Sequence, residues 1–272
     1  MKYLRLIVIL LFLISLGGVA YTMYTLSIQD VTSPVITAEY DEIHISVNDN
    51  EDVLFNGLTA IDDRDGDITD QIIIERVSRF SEIGVCQVNY VVFDKENNIG
   101  RYQRTLYYDD YVAPRLHFDR PMLHYAAEDI SALSGVRLID CIDGDISHKL
   151  KLEASNVAAS VPGIYEIEIS AVSDFGDEIH VRLPLNIIEY SADTPVITLS
   201  QYLVYTKKGQ EIDPLTYITS VTDSNGVEMD IADVKVNSQV DFQKEGAGQM
   251  LLEITNKHGV TGITYLTVIV EA

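Results

Sequence analysis

Apolar residues form one unbroken block at the amino terminus and short alternating runs everywhere after it. From Leu6 to Gln29 no residue is charged, and Leu6 to Leu16 is strongly apolar. A helix rising 1.5 Å per residue crosses the hydrocarbon layer in about 20 such residues. Lys2 and Arg5 precede the block, so the positive-inside rule keeps them cytoplasmic and puts everything after Asp30 outside. Two readings stay open. Leu6 to Leu16 is the core of a signal peptide cleaved near Gly18-Val19-Ala20, or Leu6 to Ile28 is an uncleaved anchor. The long uncharged run and the indifferent Gly17-Gly18 context favour the anchor. Either reading exports the rest of the chain.

Beyond residue 30 the dominant period is two, the mark of half-buried strands. Ile43-His44-Ile45-Ser46-Val47 alternates cleanly, Ile72 to Val77 follows an Asp-rich loop, and Gly84 to Phe93 is a long β-rich run. Asp94-Lys95-Glu96-Asn97-Asn98 predicts a hairpin turn, with Arg101 to Tyr108 as the returning strand. The alternation places Cys86, Val88 and Tyr90 on the core face. No segment outside the amino terminus carries a 3.6-residue period of useful length.

The same order of features occurs three times. Ser33-Pro34-Val35-Ile36-Thr37 opens the first copy, Ala113-Pro114-Arg115-Leu116 the second and Thr194-Pro195-Val196-Ile197-Thr198 the third. Proline cannot donate to a ladder and so suits the start of an edge strand. Ala60-Ile61-Asp62-Asp63-Arg64-Asp65-Gly66-Asp67-Ile68-Thr69 returns as Leu138 to Ser147, and in worn form as Thr222 to Val227. Long strands then follow at Gly163 to Ile169 and Gly248 to Ile254, and the first of these places Tyr165, Ile167 and Ile169 inward. The predicted fold is all-β: three tandem antiparallel β-sandwiches, Ig-like by the resemblance given below, after an N-terminal transmembrane or signal helix. The boundaries read as 1–30 for the helix, then 31–110, 111–190 and 191–272. The junctions are short and lack the Gly/Ser or Pro-rich composition of flexible linkers, which predicts a stiff stalk. Tyr107, Tyr108 and Tyr111 cluster at the first junction and read as packing between domains.

Of the 272 residues, 47% are hydrophobic, enough for packed cores. The net charge of -23 excludes a nucleic-acid partner, because nothing neutralises phosphates. It suits a surface that repels its neighbours and sits among divalent cations. Two cysteines, Cys86 and Cys141, fall at non-equivalent places and define no disulfide or zinc framework. Cys86 reads as a buried inert thiol, Cys141 as a loop residue. No nucleophile elbow, phosphate loop or paired-histidine metal motif occurs, which predicts a chain without catalysis.

Pro34 to Thr37, Ala60 to Thr69, Gly84 to Tyr90 and Asp94 to Asn98 together resemble a bacterial immunoglobulin-like domain family. That family recurs in tandem on surface proteins and is appended to insecticidal crystal toxins. The resemblance covers Pro34 to Ala272 and weakens in the third copy. It implies a sandwich fold and an extracellular, stalk-like or adhesive role at the cell surface. Its implied partners are the membrane, through the helix, and a surface glycan or protein. It implies no catalytic activity.

The Asp-Gly-Asp loops are the one feature with metal chemistry. Asp62, Asp63, Asp65 and Asp67 in the first copy, and Asp143 and Asp145 in the second, offer the hard oxygen ligands that calcium takes. The spacing does not match an EF-hand loop. The competing reading is a turn, with Gly66 at positive φ and aspartates accepting backbone N–H groups. Cys141 and Val227 replace acids in the later copies, which favours the turn. Asn48-Asp49-Asn50 is similar to the calcium motif at cadherin junctions but lies inside a copy, and reads as a plain turn.

Overall fold

The amino-terminal block forms a single helix, α1 (Lys2–Ile28), in the computed structural model, which describes residues 2–126, 128 and 131–272. At 1.5 Å per residue its 27 residues extend about 40 Å. Its large apolar side chains are exposed, and Tyr3–Ser27 is long and apolar enough to cross a membrane. The rest of the chain is mostly β. It divides into two compact units, one ending at Asp110 and one running Tyr111–Ala272.

In the first unit the strands are β1 (Val35–Ala38), β2 (Glu42–Ile45), β3 (Leu58–Asp62), β4 (Gly66–Asp67), β5 (Ile73–Val77), β6 (Val85–Phe93) and β7 (Ile99–Tyr108). One sheet has the order β1-β3-β4 and the other β2-β7-β6-β5. Between them lie Ile36, Leu58, Ala60, Cys86, Val88, Tyr90, Val92 and Leu106, all buried. Period-two alternation produces this directly: in β6 the inward residues are Cys86, Val88 and Tyr90, each fully buried. The Tyr90 hydroxyl, buried with its ring, donates to the Leu54 carbonyl at 2.6 Å. The pairing is not purely antiparallel. β2 runs parallel to β7, because a long crossover separates them.

The second unit repeats this pattern. Its strands are β8 (Arg115–Phe118), β9 (Leu123–Tyr125), β10 (Val136–Asp140), β11 (Gly144–Asp145), β12 (Lys151–Ser155), β13 (Gly163–Val172) and β14 (Glu178–Ile188). They are followed by β15 (Val196–Leu199), β16 (Leu203–Lys207), β17 (Ile218–Thr222), β18 (Lys235–Ser238), β19 (Gly246–Thr255) and β20 (Thr261–Glu271). The sheets β11-β10-β8 and β12-β13-β14-β9 enclose Leu138, Ile167, Ile169, Leu183 and Leu185. The sheets β15-β17 and β16-β20-β19-β18 enclose Leu252, Ile254, Leu266 and Val268. Each four-stranded sheet again holds one parallel pair, β9 with β14 and β16 with β20. Tyr202 packs against both cores. The two halves are pinned by Asn186, whose Nδ2 donates to Gln249 Oε1 at 2.7 Å, and by an Arg115–Glu271 ion pair of 2.9 Å.

Tyr165 departs from the expectation for the core face. It sits near the start of β13, is half-buried, and donates its hydroxyl to the Val161 carbonyl at 2.8 Å. The junction tyrosines have partners within their own units. Tyr107 stacks on His44 with ring centroids 4.6 Å apart, Tyr108 meets Phe80 edge-on, and the Tyr111 hydroxyl donates to Asp177.

Candidate metal centre

The inward alternation of two strands continues past the apolar core and ends on acids. In β3 the buried residues are Leu58, Ala60 and Asp62; along β6 they include Tyr90 and Val92, and Asp94 follows in the same phase. Both acids therefore point into one end of the sandwich of the first unit. Asp30, two residues beyond α1, joins them there. One carboxylate oxygen from each of Asp30, Asp62 and Asp94 lies within 4.8 Å of the other two, and all three residues are buried. Among the described residues this is the one such group of three.

Local backbone holds each carboxylate in place. Asp62 Oδ1 accepts the Arg64 and Asp65 amides at 3.0 and 2.8 Å. Asp94 accepts the Asn98 amide on Oδ1 and the Asn98 side-chain amide on Oδ2, both at 2.7 Å. Asp30 Oδ1 accepts the Thr32 amide and hydroxyl at 2.9 and 2.6 Å, and these bonds hold its carboxyl below the usual carboxylate range. Asn98 also donates to the Asp30 carbonyl at 3.2 Å, tying the segment after the helix to the β6–β7 turn.

Two oxygens are left over. Asp62 Oδ2 and Asp30 Oδ2 are shielded from water and receive no hydrogen bond. Arg64 Nε lies 3.5 Å from Asp30 Oδ2, on a half-exposed side chain. Two like charges about 5 Å apart repel by about 3 kcal/mol at an effective dielectric near 20. That exceeds what an exposed ion pair typically returns, about 0–1 kcal/mol. A buried acidic group of this kind calls for a counter-charge.

Of the aspartates singled out from the sequence, one joins this cluster, two cap local turns and the others have more distant partners or acidic neighbours. Asp62 is in the cluster. Asp63 is exposed, and its Oδ1, 2.5 Å from the Thr32 hydroxyl, shares that single proton with Asp30 Oδ1. Asp65 is engaged by Lys95, whose amide and ammonium donate at 2.8 and 2.6 Å and lower its pKa. Asp67 accepts the Thr69 amide and hydroxyl, and Asp145 does the same with Ser147. These bonds stabilise the charged forms of Asp67 and Asp145 and lower both pKa values. Asp143 is pushed upward, by desolvation first and then by Asp140 and Asp174. Gly66 and Gly144, at φ 76° and 71°, make the tight β3–β4 and β10–β11 hairpins.

Reasoning from the motif missed Asp30 and Asp94. A signal for Asp94 was present, since it continues the inward phase of Val88, Tyr90 and Val92. None marked Asp30.

The second unit holds a partial copy. Asp140 takes the place of Asp62, accepts the Ile142 and Asp143 amides, and leaves Oδ2 buried without a hydrogen bond. Ser173 stands where Asp94 would be, and Lys149 Nζ lies 2.8 Å from Asp174 Oδ1 and lowers the pKa of Asp143. Here an ammonium stands among the neighbouring acids, while Asp140 Oδ2 itself still receives no hydrogen bond.

No family model matches the chain. It is 26% identical over 212 residues to the pesticidal crystal protein Cry22Aa of Bacillus thuringiensis, covering 74% of this chain and 28% of that protein. It is 23% identical over 168 residues to an uncharacterized 81.3 kDa protein of Acholeplasma phage L2, covering 58% and 23%. The chain thus spans about a quarter of the length of these curated relatives. Among solved structures it is similar to the M60 catalytic domain with CBM51 domains from Clostridium perfringens ZmpB, at 13% identity and a TM-score of 0.25, covering 89% of this chain and 31% of that one. It is also similar to Drosophila N-cadherin EC1-3, at 11% identity and a TM-score of 0.28, covering 74% and 88%. Superpositions this loose bear on no residue of the site.

Proposed function

We propose that the chain is a non-catalytic, membrane-anchored stalk of three Ig-like sandwiches, displayed on the outside of a bacterial cell. The observation that carries this reading is α1, whose apolar side chains are exposed over a length that can cross a membrane and which leads within two residues to the buried Asp30 of the β unit. A helix of that length and composition is stable in hydrocarbon and costly to expose to water. The recurrent strand order supports a tandem-repeat stalk, and the strong negative charge keeps such stalks apart.

Topology and anchoring are tested together. In intact cells a membrane-impermeant maleimide reaches the exposed Cys141, and the labelled chain stays with the membrane after alkaline carbonate washing. Protection of Cys141 until lysis would reverse the orientation. A labelled chain that is soluble and shorter by the helix would make α1 a cleaved signal.

A second reading, a module that binds a surface glycan or protein, rests on a groove of about 510 Å³ in the second unit. Tyr165, His180, Arg182 and Gln249 contribute to its lining. Loss of cell or glycan-array binding on Arg182→Ala, with the fold intact, would favour it.

A further inference from the structure

We propose that Asp30, Asp62 and Asp94 bind one Ca2+ ion, which latches the segment leaving α1 onto the end of the first sandwich. The inference stands whether or not the helix spans a membrane, because it uses only contacts inside the first unit.

The donor set selects the metal class. All three ligand groups are carboxylates, with no cysteine or histidine among them, so a hard cation is required. Calcium holds oxygens at about 2.3–2.6 Å, so two ligands on opposite sides lie roughly 5 Å apart. The three oxygens, within 4.8 Å of one another, fit that sphere. Magnesium, at about 2.0–2.1 Å and strictly octahedral, asks for a tighter set. The Oδ2 atoms of Asp30 and Asp62 are buried and receive no hydrogen bond, with Arg64 Nε standing 3.5 Å from the first.

Charge leads to the same answer. Asp30, Asp62, Asp65 and Asp94 gather here, against Arg64 near Asp30 and Lys95 on Asp65. Even before the exposed Asp63 beside Thr32 is counted, four carboxylates against two cations leave an excess of negative charge that a divalent ion offsets. The second unit is the internal contrast. Its equivalent of Gln71 is Lys149, each closing the short turn after the Asp-Gly-Asp loop, and its equivalent of Asp94 is the neutral Ser173. One unit uses an ammonium where the other takes a metal.

Three protein carboxylates, completed by water, make a modest site. Affinity in the range of extracellular calcium modules, about 10⁻⁴–10⁻³ M, is expected.

The test uses the full chain in detergent micelles, stripped with chelator and titrated with CaCl2 by calorimetry. One site per chain is expected, and loss of at least tenfold in affinity on Asp94→Asn or Asp30→Asn. Asp67→Asn and Asp145→Asn should bind as wild type. Gln71→Lys, which imports the ammonium of the second unit, should abolish binding while the far-ultraviolet spectrum stays native. Calcium should also slow amide exchange at Thr32 and Asn98. Should an aspartate variant fail to fold, Gln71→Lys and the exchange pattern decide. Wild-type chain with no calcium-dependent heat or protection, or binding unchanged by Gln71→Lys and by the folded aspartate variants, would overturn the proposal. Binding without slower exchange at Thr32 would remove the latch.

Discussion

A glycine inside a strand ordinarily weakens it. At Gly100 the packing gives the opposite result. Gly100 lies in β7 opposite Val92, and a Cβ built on it would meet the Pro34 carbonyl oxygen at 2.3 Å and Val92 Cγ1 at 3.1 Å. The first distance falls about 1 Å short of ordinary contact, and the obstacle is backbone, which cannot rotate away. Gly100→Ala must therefore push the entry of β1 off the sheet. Overpacking of this kind costs about 1–3 kcal/mol. For a domain of 60–100 residues each kcal/mol is worth about 4–8 °C. The first unit should melt about 5–20 °C lower, followed by thermal circular dichroism of the full chain in detergent, with amide exchange assigning the loss to β1–β7. Gly262, the counterpart in β20, is tighter still at 1.9 Å from the Pro195 carbonyl, so Gly262→Ala should cost at least as much. The second copy carries Ile179 at this register, paired with Ala171. If Gly100→Ala and Gly262→Ala melt with the wild type, close strand approach is not what retains glycine there, and the packing argument fails.

Cys86 is fully buried and desolvation pushes its thiol up to about 11, so a thiol reagent at pH 8 should titrate Cys141 alone until the protein is denatured. Asn186 and Gln249 are buried partners between the halves of the second unit; Asn186→Leu strands the Gln249 carbonyl and should cost about 1–3 kcal/mol in urea unfolding, with a double-mutant cycle against Gln249→Leu showing strong coupling. Asp67, Asp145 and Asp223 all have depressed pKa values from hydrogen bonds to their charged forms, so their contribution is present above the ordinary value near 3.8 and is lost as the pH falls through their lower folded values. Melting temperatures recorded from pH 6 down to 2.5 should fall below about pH 4, and Asp67→Asn should flatten that fall.

The strands were legible because a half-buried strand writes its burial into the sequence at period two. Cys86, Val88 and Tyr90 were placed inward by alternation alone, and inward is where they lie. Alternation also carried a signal that motif reading passed over. Asp62 and Asp94 each continue the inward phase of their strand, so their burial was encoded although their role was not. The Asp-Gly-Asp spelling drew attention to neighbours in sequence, of which Asp67 and Asp145 cap turns while Asp63 and Asp65 bond residues about thirty positions away. What only the tertiary structure decided is which strand ends share one end of a sandwich. Asp30, Asp62 and Asp94 are separated by about thirty residues each, and nothing in the period of one strand says which distant strand will end beside it. The same holds for Gly100, whose need for a missing side chain is created by the Pro34 carbonyl on another strand. Local alternation determines the face a residue occupies; register and sheet packing determine whom it meets there.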